Sequence, residues 1–102
     1  MTEFDIIEAL KEVYDPEIPL DLVNLGLIKN VKIENNKIFI IMTLTTPNCP
    51  LENFILKSVK DKLKSKFKEK EIYITFDFTI PWNSSFISEE GKEKLKQLGW
   101  KV

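Results

Sequence analysis

Residues 37–51, Lys37-Ile-Phe-Ile-Ile-Met-Thr-Leu-Thr-Thr-Pro-Asn-Cys-Pro-Leu51, change their hydrophobic period partway along. Up to Thr45 the residues Ile38, Ile40, Met42 and Leu44 alternate, the repeat of a strand with one face on a core. From Pro50 the repeat becomes helical. Leu51, Ile55, Val59, Leu63 and Phe67, with Phe54 widening the stripe, predict a helix over 50–67. A strand that turns directly into a long amphipathic helix belongs to a sheet with helices packed on it.

Working outward, Leu27 to Glu34 contains the alternation Val31, Ile33 and is joined to the first stretch by Asn35-Asn36. Asn tolerates positive φ, so the pair predicts a tight antiparallel hairpin. Further back, Thr2 can cap a helix over Glu3 to Val13, with Asp5 answering it and Phe4, Ile7, Leu10 and Tyr14 as its apolar stripe. Pro16 ends that helix, because the residue before a proline avoids the α region. Between them lies a loop pinned by Pro16 and Pro19, then Leu22 to Gly26, a short turn closed by glycine. Downstream, Glu71 to Thr79 carries Ile72, Ile74, Phe76 and Phe78 on one face of a third strand. Ser88 caps a last helix reaching about Leu98, with Glu89 and Glu90 at its positive end, Lys94 and Lys96 at its negative end, and Gly99 after it. The order α-β-β-α-β-α predicts a two-layer α+β domain over residues 1–102, three strands with helices on one face. Strand order stays open. If the second and third strands are parallel neighbours, the crossover is right-handed.

Composition removes several classes of function. The chain has 102 residues, 43% hydrophobic and 30% charged, with 15 basic and 16 acidic residues. A net charge of -1 argues against binding nucleic acid by phosphate neutralisation. All the basic residues are Lys, so no planar bidentate phosphate clamp is available. The absence of His removes Ser-His-Asp and Cys-His catalysis and His-ligated metal sites within one chain. A single Cys excludes an intramolecular disulfide and a multi-cysteine zinc site. The longest apolar run, Ile38 to Met42, is too short to span a membrane, and Met1-Thr2-Glu3-Phe4-Asp5 lacks the features of a signal peptide. These readings lead us to expect a cytoplasmic protein.

Cys49 lies between strand and helix. With Pro50 suited to the first helical position, it is expected at or beside a helix N-terminus, where a thiolate has a lowered pKa and is a better nucleophile and metal ligand. The alternative is a buried apolar Cys. Asp15, Glu17 and Asp21 share the proline-pinned loop. Converging carboxylates could hold a hard metal or act as bases. Equally, Asp15 and Asp21 could cap turns while Glu17 stands in water. Thr43, Thr45 and Thr46 are ordinary strand residues or hydroxyl donors beside Cys49. Trp82 and Trp100 fit core or rim positions, and Trp82, in a loop, also fits a partner site. The Lys run from Lys57 to Lys70 reads as the wet face of the second helix.

Three stretches also resemble the motifs of one family, in its order and spacing. They are Val13-Tyr-Asp-Pro-Glu-Ile-Pro-Leu-Asp-Leu-Val-Asn-Leu-Gly-Leu-Ile28, Thr45-Thr-Pro-Asn-Cys-Pro-Leu51, and Pro81-Trp82 with Ser88-Glu-Glu-Gly91 and Leu95. The family is the SufT-like, PaaD-like iron–sulfur assembly family, which includes the MIP-eighteen-type targeting factors and was formerly domain of unknown function fifty-nine. The resemblance implies an iron–sulfur assembly-domain-like fold and a functional site of Cys49, Thr45, Thr46, Asp15 and Glu17. The chain departs from the pattern at Ile80, where Pro is common, and at Lys92, where Arg is common. It lacks the Cys-rich C-terminal segment of PaaD-type proteins.

The resemblance implies a non-enzymatic iron–sulfur assembly, carrier or targeting factor that serves client apo-proteins through Cys49. Its partners would be the assembly machinery and those clients, with no nucleic acid and no membrane. One thiolate cannot hold a cluster alone, so any cluster would be labile and bridge two chains, with none tightly bound to the isolated protein. A homodimer would supply both Cys49 ligands. The alternatives are a thiol enzyme using Cys49 with Asp15 or Glu17, which lacks the usual His base, and a pure interaction module with an inert Cys.

Overall fold

Thr2 opens the first helix, α1 (Glu3–Leu10), through a reciprocal capping box. Its hydroxyl accepts from the Asp5 N–H at 3.4 Å, and the Asp5 carboxylate accepts from the Thr2 N–H at 2.9 Å. The structure, a computed structural model, describes residues 2–46 and 50–100. α1 is shorter than its sequence pattern predicts. After Leu10 the chain tightens, with Glu12 N–H donating to Ala9 and Val13 N–H to Leu10, both at 3.1 Å. The buried stripe also differs from the predicted one: it is Ile6, Ala9 and Leu10, with Val13 buried just past the helix, while Phe4 is 66% and Tyr14 53% exposed. Both stripes have helical spacing, and only the sheet decides which faces inward. Tyr14 lies beyond the helix, so helical periodicity no longer aims it.

β1 (Ile28–Glu34) and β2 (Lys37–Met42) form the expected hairpin, turning at Asn35 with φ 55°. Glu34 stands opposite Lys37, and the ladder runs to Ile28 opposite Met42, with an irregularity between Ile28 and Asn30. β3 (Glu71–Phe76) pairs with β2 in parallel, from Lys37 opposite Glu71 to Met42 opposite Phe76. The sheet order is therefore β1-β2-β3. The central strand buries Ile38, Ile40 and Met42 almost completely.

The parallel pairing of β2 and β3 requires a crossover, and α2 (Glu52–Lys66) supplies it. It buries Ile55, Val59 and Leu63, while Phe54 is 56% exposed and does not widen the stripe. α2 begins later than predicted. Leu51 is its N-cap and makes no side-chain cap bond, so Pro50 precedes the cap and is not the first helical residue. β1, β2 and β3 each end within three residues of the predicted limits, on the pattern of their alternation.

α3 (Glu89–Gln97) is capped by Ser88, whose hydroxyl accepts from the Gly91 N–H at 3.0 Å. α1 packs on β1 and α2, and α2 on β3. α3 is seated instead on the segment after α1. A Cβ at Gly91 would lie 2.8 Å from Leu20 Cδ2 and 3.2 Å from Asn24 Cβ. A second close approach is at Gly26, φ 78°, where a Cβ would meet the Phe86 carbonyl oxygen at 2.3 Å.

Gly99 also has positive φ, 93°, yet nothing lies within 4 Å of its Cβ position. The pair separates backbone strain from close packing. Gly99→Ala should cost about 1 kcal/mol from the left-handed conformation alone. Gly26→Ala should lose roughly a further 1–3 kcal/mol from overlap with the Phe86 backbone. Thermal unfolding of the two variants checks this, and equal losses would refute the close approach.

Candidate functional site

The loop after α1 closes on itself as a narrow hairpin. Tyr14 and Asp21 form an isolated antiparallel bridge, with Leu22 N–H donating to Val13 at 2.9 Å and Asp15 N–H to Leu20 at 3.1 Å. Pro16 and Pro19 restrict φ inside it, so little entropy remains to be lost. Asp15 is 7% exposed. Its Oδ1 accepts from the N–H groups of Glu17, at 2.8 Å, and Ile18, at 2.9 Å. It is therefore the turn-capping carboxylate of this loop. The Glu17 side chain lies on an exposed residue of the same loop.

Asp21 is 1% exposed and starts a buried polar chain. Its Oδ2 accepts from the Asn24 N–H at 3.0 Å, and its Oδ1 from Asn24 Nδ2 at 2.7 Å. Asn24 Oδ1 in turn accepts from the Ser88 hydroxyl at 2.6 Å, and the Asn24 carbonyl accepts from the Ser88 N–H at 2.9 Å. Ser88 then caps α3 through Gly91. Close by, the half-buried Trp82 donates its indole N–H to the Leu25 carbonyl at 2.7 Å. The first and third sequence motifs are thus one hydrogen-bonded body. Sequence reasoning missed Asn24: Ser88 as a cap was legible, but its partner 64 residues away was not.

The segment that leads into the second motif meets this body through the backbone. Thr43 N–H donates to the Leu27 carbonyl at 2.8 Å, continuing the β1-β2 pairing. Thr43 is buried, Thr45 half-buried and Thr46 exposed. Cys49 lies outside the described residues, as do Pro47 and Asn48. The first helical residue of α2 is Glu52, whose carboxylate lies in the helix's first turn.

Among the described residues no group of three or more Cys, Asp or Glu side chains is placed to hold a metal ion. Asp15 and Asp21 instead direct their oxygens at amide donors of their own segments. No helix of the described residues is long and apolar enough to cross a membrane.

Past the end of β3, Asp77 is held below the usual carboxylate range, chiefly by the Thr79 hydroxyl and then by the Thr79 N–H, with Lys29 at 3.8 Å adding to it. The N–H of Asp77 extends the parallel ladder to the Met42 carbonyl at 2.9 Å. This small turn lies at the carboxyl end of β3, beside the end of β2.

The fold and its motif body define a class: a small α+β domain whose one thiol falls, in the sequence, between its central strand and its crossover helix. A family model described as "Iron-sulfur cluster assembly protein" matches residues 3–74. The chain belongs to that iron–sulfur cluster assembly family. It is 42% identical over 92% of its length to a "Fe-S protein maturation auxiliary factor" of Porphyromonas gingivalis, covering 90% of that protein. It is 36% identical over 89% of its length to the Bacillus subtilis "Fe-S protein maturation auxiliary factor YitW", again covering 90%. Among solved structures, a DUF59 domain from Bacillus anthracis superimposes with a TM-score of 0.86 at 35% identity, covering 92% of this chain and 91% of that one. The three-stranded sheet and the helix order match the α+β fold expected from the sequence.

Two measurements check the site's physics. Asn24→Ala should cost about 3 kcal/mol, because it leaves the Asp21 carboxylate and the Ser88 hydroxyl buried without partners. Ser88→Ala should cost about 1 kcal/mol as a lost cap. The double variant should be less destabilised than the sum by more than about 0.5 kcal/mol; strict additivity would mean the two residues are not coupled. For Asp77, a folded pKa below the unfolded one adds stability above the unfolded pKa, and that contribution is lost as pH falls through the folded pKa. A carboxyl NMR titration should show Asp77 rising further in Thr79→Val than in Lys29→Met.

Proposed function

We propose that this protein is a non-enzymatic iron–sulfur assembly factor that works through Cys49, carrying a labile cluster or passing iron and sulfide to client apo-proteins. The observation that carries the reading is the chemistry of the donor set. The sequence holds one thiol, Cys49, and the buried carboxylates of Asp15 and Asp21 are already hydrogen-bonded, in a chain that belongs to this family. The relatives named as maturation factors span nearly the same length, which supports the same role here. A thiol enzyme is disfavoured, because no His is present to activate the nucleophile.

The functional site in this reading is Cys49 with Thr45 and Thr46, faced by the loop of Asp15 and Glu17. Asp15 acts by shaping the loop, and Glu17 by presenting a carboxylate to a client or to incoming iron. Trp82 is a partner-facing residue only along its exposed edge, since its N–H is engaged. A cluster held mainly by thiolates needs more ligands than one chain supplies. We therefore propose a cluster bridging two chains through two Cys49 thiolates, completed by small thiols, in a homodimer that forms with loading. The assembly machinery and client apo-proteins are its partners, and the cytoplasm its compartment.

Anaerobic reconstitution with iron and sulfide, followed by iron counting and mass in solution, tests this directly. Wild type should load iron as a dimer and Cys49→Ser should not. A cluster that survives in Cys49→Ser, or one carried by a strict monomer without added thiol, would refute the ligand assignment. In cells lacking the protein, Glu17→Ala should impair client maturation while leaving Tm within a few degrees of wild type, because the residue is exposed. Asp15→Ala should lower both.

A further inference from the structure

Two aromatic side chains stand in solvent on one flank of the molecule. Tyr14, just past α1, is 53% exposed, and Phe54, in the first turn of α2, is 56% exposed. Both line a single open cleft of about 470 Å³ between the end of α1 and the outer flank of α2, together with Ser58 and Ser65. The carboxylates at this cleft are already neutralised. Glu12 pairs with Lys62 at 3.5 Å and Lys66 at 2.5 Å, and Asp61 pairs with Lys57 at 2.7 Å. The Lys66 ammonium holds Glu12 below the usual carboxylate range.

Flanking Asp61 of this cleft, α2 carries Lys57, Lys60 and Lys64, spaced three or four apart and so on one stripe. Among the described residues Lys60 and Lys64 have no carboxylate within 4.0 Å; the Lys64 ammonium donates to the Lys70 carbonyl at 2.9 Å. An exposed pair of aromatics with an unpaired basic margin is the complement of one kind of ligand. We propose that this flank docks an acidic amphipathic segment of a partner protein. Its apolar residues enter between Tyr14 and Phe54, and its carboxylates meet Lys60 and Lys64. The chain's own acidic helix is a poorer occupant. α1 of a second copy exposes Phe4 as a single large anchor, while its Ile6, Ala9 and Leu10 are buried in its own core. Phe54 stands five residues beyond Cys49 in the sequence. The surface is independent of whether Cys49 holds iron.

The probe is a helical peptide of leucine, phenylalanine and glutamate, its apolar residues at i, i+3, i+4 and i+7, titrated into the full chain by NMR. A control peptide carries lysine at each glutamate. The acidic peptide should move the resonances of Tyr14, Phe54 and Lys60, and should bind more weakly at high salt. Phe54→Ser, and Lys60→Glu combined with Lys64→Glu, should each weaken binding about tenfold or more. Both changes are on exposed residues, so unfolding should be unaffected, and iron loading in the reconstitution above should be retained. A photo-crosslinker at position 54 in cells should attach to an acidic segment identified by mass spectrometry. Binding of the lysine peptide as tightly, no binding of either peptide, shifts confined to another face, or crosslinks to a basic segment or a second copy would each overturn the proposal.

Discussion

The structure depends on a hydrogen-bonded chain that runs from Asp21 through Asn24 to Ser88 and into the N-terminus of α3. Every member is buried or half-buried, so each bond is made where water cannot replace it, and an unmade one would be costly. The chain decides where α3 goes. A helix that buries only Gly91 and Leu95 has too little apolar face to fix its own position. The polar contact at its cap, with the close fit of Gly91 on Leu20, supplies the address.

That constraint reaches the candidate site. With Asp21 and Asn24 held against Ser88, the hairpin loop before them is held at its base, and Asp15 closes it from inside. Trp82 fastens the next segment of chain to Leu25. The result is a stiff body built from the first and third motifs, while α2 starts without a side-chain cap.

The exposed aromatics show what the stiff body leaves uncovered. Tyr14 and Phe54 belong to patterns that look like core, yet both face solvent beside a lysine stripe. In a chain this small, the area given to such a surface is withheld from the core. The interior is nonetheless filled by the side chains of β2, α1 and α2, with Leu20, Leu22, Leu25 and Leu27 of the motif segment completing it.

Local chemistry in the sequence determined the elements themselves. Period-two alternation marked β1, β2 and β3; a four-residue repeat marked α2; Thr2, Asn35 and Ser88 marked a cap, a hairpin turn and a second cap. Each of these depends on neighbours within one turn or one strand, so it is legible without a partner. The motif residues pointed to the family for the same reason, as fixed spacings along the chain. Only the tertiary structure decided the strand order, the inward stripe of α1, the seat of α3 and the role of Asn24. Two stripes of equal helical spacing on α1 differ only in what they pack against. Likewise the partner of Asn24 lies 64 residues away, a contact whose energy appears only when burial removes the competing water.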